Sequence, residues 1–167
     1  MRARHYLGAA FLACVAVPAN ASPWRVLPAA GTVDLTYEVE GAVVYRFSCG
    51  ASGVRITQYG VTQLMDVATN QPVPDQEAAD MPSGASFMAL ATGKAKPKMV
   101  PAESVPNAAG GWDMAITIPR NDPAFLSLPR AGMVSVFSTG FTRAVMLGKE
   151  DRKLLAGFVK SCRSTSS

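Results

Sequence analysis

Cysteine placement constrains this chain more than any other feature. The sequence has three, at positions 14, 49 and 162. Cys49 closes the strand-like run Ala42 to Ser48, in which Val43, Tyr45 and Phe47 share a side with it, because alternate residues of a strand face the same way. Cys162 ends the stretch from Met133, which reads as two short strands joined by a turn at Ser138-Thr139-Gly140 and then a helix near 149–162. In that helix Leu154, Leu155, Phe158, Val159 and Cys162 recur at helical spacing. Glu150, Asp151, Arg152, Lys153 and Lys160 fall mainly on the opposite side. One helix face therefore needs an apolar surface, and the aromatic side of the early strand supplies it. A Cys49–Cys162 disulfide is expected to staple the two together.

Compartment follows from the opening residues. Arg2 and Arg4 precede an apolar run from Tyr6 to Val17, and Ala19-Asn20-Ala21 forms a small-residue cleavage site before Ser22, the order of a secretory signal peptide. The apolar run is too short to span a hydrocarbon core of about 30 Å. Cleavage after Ala21 would discard Cys14, leaving an even pair of thiols in an oxidising compartment, where a disulfide is the ordinary outcome. It would also remove two of the 16 basic residues and none of the 12 acidic ones, so the net charge falls from +4 to +2. Nothing in that balance calls for nucleic acid. The single histidine, His5, goes with the signal peptide. The mature chain then lacks the base of Ser-His-Asp and Cys-His sites and any histidine ligand for zinc or copper.

Between these landmarks the chain reads as strands. After Trp24 to Leu27 comes a break at Pro28-Ala29-Ala30-Gly31. Val33, Leu35, Tyr37 and Val39 then alternate with polar residues and pair back through Gly41 to the Cys49 strand. Further strands are expected over Val54 to Tyr59, Val61 to Ala68, Ser86 to Thr92 and Trp112 to Ile118. A short helix near 122–128 is capped by Asn121 or Asp122, with Pro123 at its first position, which suits a residue lacking an amide hydrogen. Asp75, Glu77 and Asp80 read as a solvated loop rather than a calcium site. The segment 93–111, rich in proline and glycine, reads as a flexible arm, either a long loop or one arm of a hairpin. Its Lys94, Lys96 and Lys98 would share one edge if extended. They are read as protection of an exposed strand edge or, functionally, as contacts to an anionic surface.

Phosphate-loop, nucleophile-elbow and Ser-x-x-Lys patterns are missing from the sequence, and no cofactor is called for.

Two resemblances add to this. The run Asn121 to Leu128, followed by Arg130-Ala131-Gly132, Met133 to Phe137, Phe141 to Leu147 and the helix to Cys162, resembles the end of invasion-associated locus B type envelope proteins. The start at Trp24-Arg25-Val26 also matches their pattern. That resemblance implies an envelope or secreted location and contact with other macromolecules. Tyr45-Arg46-Phe47-Ser48-Cys49, then Gly53 to Ile56 and Ser83-Gly84-Ala85-Ser86-Phe87, is similar to periplasmic inhibitors of c-type lysozyme, and would make Ser83 the residue placed in the lysozyme cleft.

The expected molecule is thus a cleaved signal peptide at 1–21 and one β-rich domain at 22–167. Its class is mainly β (α+β), a small antiparallel sandwich or partly open barrel with a short helix and a C-terminal helix packed on the sheet. The expected role is that of an exported, non-enzymatic binding or accessory protein acting on a protein or envelope component. No transmembrane segment remains after cleavage, and the oligomeric state stays open. The inhibitor reading ranks second, because a net charge of +2 works against steering toward a basic lysozyme. A histidine-free hydrolase using Asp113 or Asp122 with a lysine ranks third.

Overall fold

The structure, a computed structural model, describes residues 22–29, 32–66, 69, 71–74, 86–93, 96–139 and 141–164. The expected signal peptide, the acidic cluster at Asp75, Glu77 and Asp80, and the two site candidates Ser83 and Lys94 lie outside the described residues.

Alternating sequence and tight turns build the first half. β1 (Trp24–Ala29), β2 (Thr32–Val39), β3 (Ala42–Gly50) and β4 (Gly53–Val61) form an antiparallel meander. Glu40 and Gly41 both have positive φ (52° and 81°), the geometry of a two-residue turn whose twist matches the flanking strands. The next hairpin requires Gly53. Its φ is 135°, and a Cβ there would lie 2.4 Å from the carbonyl oxygen of Ile118. β1 runs through Pro28, where a break was expected. It is an edge strand, so the missing amide hydrogen costs no ladder bond.

The second half joins in a different order. β5 (Ser86–Thr92), β6 (Val100–Pro106), β7 (Trp112–Ile118), β8 (Met133–Ser138) and β9 (Phe141–Met146) complete a single antiparallel sheet, ordered β1-β2-β3-β4-β7-β6-β5-β8-β9. The sheet curls into a half-barrel. Its inner face carries matched rows across β3, β4 and β7: Cys49, Val54 and Ile118; Phe47, Ile56 and Ile116; Tyr45, Gln58 and Met114. On the outer side Asp34, only 3% exposed, accepts from Arg46 through Nε (2.9 Å) and Nη2. That contact raises the guanidinium pKa.

Two helices close the concave side. α1 (Pro123–Ser127) is capped by Asp122, whose carboxylate accepts from the Ala124 and Phe125 amides, and it runs into a 3-10 turn at Leu128–Arg130. α2 (Lys149–Ser164) buries Leu155, Phe158, Val159 and Cys162. Phe158 stands edge-on to Phe47 (ring centroids 6.5 Å apart) and to Phe125 (6.0 Å), so one side chain joins sheet, short helix and long helix. The expected disulfide joins Cys49 to Cys162, with Cα atoms 5.5 Å apart.

Two expectations are corrected. Val61 ends β4 after a bulge at Gly60, and Thr62 to Asp66 form no further strand beyond an isolated bridge from Met65 to Pro72. The 93–111 segment, expected as an arm, carries β6, which is paired with β5 on one side and β7 on the other. Apolar alternation missed it because β6 has two prolines and only Ala102 fully buried. Lys96 and Lys98, just before β6, therefore do not guard a sheet edge. The edges are β1 and β9.

The bridge spans 113 residues, and a loop of that length corresponds to about 4–5 kcal/mol on the chain-entropy model. Urea unfolding of residues 22–167 with and without dithiothreitol should show a loss of that order. A change below about 1 kcal/mol would mean that the aromatic packing holds α2 in place without the bond.

Candidate functional site

Where β5, β7 and the approach to β6 converge beside α1, the sheet leaves a recess of about 200 Å³. Leu90, Val100 and Ile118 provide apolar walls, and Ala124 of α1 closes one side. Lys96 and Lys98, both exposed, belong to the lining, with Pro97 between them. Asp122 also lines the recess, but its Oδ1 is occupied as the cap of α1, 2.8 Å from the Ala124 nitrogen. Thr92 fastens α1 to β5: its hydroxyl donates to the Ala124 carbonyl at 3.0 Å and is hydrogen-bonded to the Ser127 hydroxyl. The result is a fixed apolar hollow with two ammonium groups at its rim. It is below the roughly 300–1,000 Å³ of sites that enclose a whole small molecule, and suits one side chain or acyl end next to an anionic group.

A second feature lies inside the half-barrel. Tyr45 (1% exposed) and Gln58 (1% exposed) face each other across β3 and β4, and among the described residues neither the Tyr45 hydroxyl nor the Gln58 Oε1 has a hydrogen-bond partner. Burial pushes the Tyr45 phenol well above its ordinary range. Arg143, reaching inward from β9, partly offsets this, and Tyr37 adds to the rise.

Of the residues singled out from sequence, Cys49 and Cys162 are bonded to each other, and Lys96 and Lys98 share the apolar recess. The two aspartates considered for hydrolase chemistry have structural work instead. Asp113 accepts from the Gly60 amide (3.2 Å) and the Asn107 side chain (2.6 Å), which holds the β4 bulge against the β6–β7 turn; Asp122 caps α1. Among the described residues no three His, Cys, Asp or Glu side chains are grouped to hold a metal ion, and no helix is long and apolar enough to cross a membrane. The recess walls went unnoticed in the sequence because Leu90, Val100 and Ile118 come from three strands that become neighbours only once β6 is inserted. The signal that could have pointed there is the lysine pair next to a strand-compatible Val100. No family model, curated protein or solved structure matches the chain.

The Tyr45 environment gives a pH dependence with a definite sign. Its folded-state pKa lies above the unfolded value of about 10, so its contribution to stability is complete below about pH 10 and is lost as pH rises through the folded value. Tyr45→Phe removes both the buried unpaired hydroxyl and this titration. It should leave stability at neutral pH unchanged or raised by about 1 kcal/mol and should flatten the alkaline loss. Urea midpoints at about pH 7 and about pH 11 test this. A variant less stable by more than about 1 kcal/mol at neutral pH would show that the hydroxyl is engaged.

Proposed function

We propose that the protein is an exported, non-enzymatic binding or accessory protein of the bacterial periplasm or cell envelope, similar in kind to invasion-associated locus B type proteins. Its partner is a protein or envelope component carrying negative charge. The observation that carries this reading is the apolar recess rimmed by Lys96 and Lys98, which has the makings of a contact site. Export is supported by the order of charge, apolar run and small residues at positions 1–21 and by the disulfide, which persists in oxidising compartments. The structural duties of Asp113 and Asp122 favour binding over hydrolysis.

Affinity capture from envelope extract, run in parallel with residues 22–167 and with the Lys96→Gln/Lys98→Gln variant, tests the site. A component held by the unaltered protein should be recovered about tenfold less by the variant and should elute as salt rises. Equal recovery would remove the lysines from the binding surface. Turnover by the purified protein on a broad hydrolase panel would overturn the non-enzymatic reading altogether.

A further inference from the structure

Across α1 from the lysine recess lies a larger groove, between the 3-10 turn and the last turns of α2. Its floor is Leu126, Pro129, Ala156 and Val159, and its volume of about 610 Å³ is widely open to solvent, a shape suited to an extended segment rather than an enclosed small molecule. Arg130, Lys160 and Arg163 stand around it. A smaller hollow shares Leu126 and Arg163 and adds Arg120 and Asn121, which extends the groove toward the end of β7. Four basic residues thus border one continuous depression; Arg120 and Arg163 are also engaged with other groups, so the charge offered to a ligand is that of the exposed Arg130 and Lys160, and no carboxylate among the described residues lines either part. The negative end of α2 offsets only about half a charge.

Two of these cations are held next to the disulfide. Arg163 follows Cys162, and Arg120 donates through Nη2 to the carbonyl of Gly50, the residue after Cys49, at 2.5 Å.

The lining also limits the occupant. Among the described residues no aromatic side chain borders the groove, so they offer no platform on which a nucleic-acid base could stack. Val159 in the floor is only 7% exposed, out of reach of a flat bilayer, and the exposed large apolar residues, Val26, Leu27, Val43, Met99, Val105, Met133 and Met146, lie on strands or just before β6 and none of them lines the groove. An apolar floor beside the exposed Arg130 guanidinium and Lys160 ammonium suits a chain that alternates apolar side chains with carboxylates.

We infer that this groove binds an acidic, leucine-type peptide segment of a partner protein. The inference rests on the reading of the chain as a binding protein but uses a different surface from Lys96 and Lys98.

Calorimetry on residues 22–167 with a synthetic peptide of alternating glutamate and leucine tests it, against the glutamine-for-glutamate peptide, inorganic phosphate and phosphatidylglycerol vesicles. The acidic peptide should bind about tenfold or more tighter than the neutral one. Arg130→Gln/Lys160→Gln should weaken it at least about tenfold with an unchanged circular dichroism spectrum, while Lys96→Gln/Lys98→Gln binds as the unaltered protein does. Should the arginine-lysine variant misfold, Ala156→Glu places a carboxylate in the floor at an exposed position compatible with helix, and should abolish binding. Equal affinity for both peptides, full binding by the groove variants, or heat only with phosphate or vesicles would overturn the inference. So would loss confined to the Lys96→Gln/Lys98→Gln variant, which leaves the lysine recess as the binding surface.

Discussion

The contact on which the structure depends is Phe158 wedged edge-on between Phe47 and Phe125, with the Cys49–Cys162 bond one helical turn further along. A curled sheet has an apolar concave face that something must cover, and here the cover is the last helix. Burying a phenylalanine is worth about 1.5–3 kcal/mol, and a ring that touches three elements ties their positions together as well. The bond acts on the same pair of elements by restricting the unfolded chain. Packing and covalent constraint thus favour one placement of α2, and the basic groove inherits its shape from that placement.

Strand β6 is the second organising element. It lies between β5 and β7, and without it the sheet would be two separate pieces, β1-β2-β3-β4-β7 and β5-β8-β9. Its inner face is nearly bare of large side chains: Ala102 is buried, and the Ser104 hydroxyl lies 2.6 Å from that of Ser86. Small and hydroxylic residues at the seam let the two halves approach closely while their polar atoms pair with each other. On the outer face Arg55 and Glu103 bridge β4 and β6 across the intervening β7, at 2.6 Å, and the pairing lowers the Glu103 pKa. Both groups are well exposed, so this contact contributes little to stability.

How much of this could be read from sequence depended on how far apart the interacting residues lie. Hairpins, the capped helix at Pro123 and the amphipathic α2 follow from local periodicity and turn chemistry, and the disulfide followed from having two cysteines to pair. β6 did not, because Pro101, Glu103 and Pro106 suppress the apolar alternation that marks a strand, and only its neighbours' open hydrogen-bond edges define it. The sites were less legible still. Lys96 and Lys98 stand out as a pattern in the sequence, but the apolar walls beside them come from three strands. Arg120, Arg130, Lys160 and Arg163 are scattered over 44 positions, and only the placement of α1 and α2 brings them around one depression.

Both recesses depend on α1, which has five residues and is too short to be helical alone. It persists because Asp122 caps it, Thr92 and Ser127 fasten it to β5, and Phe125 anchors it under Phe158. Its Ala124 side faces the lysine recess, and Leu126 lies in the basic groove. A ligand that shifts α1 from one side must therefore alter the wall of the other, so the two surfaces share a mechanical element although they share no lining residue. Any coupling between them would act through the Asp122 cap and the Thr92 hydroxyl, whose hydrogen bonds set where α1 rests on the sheet.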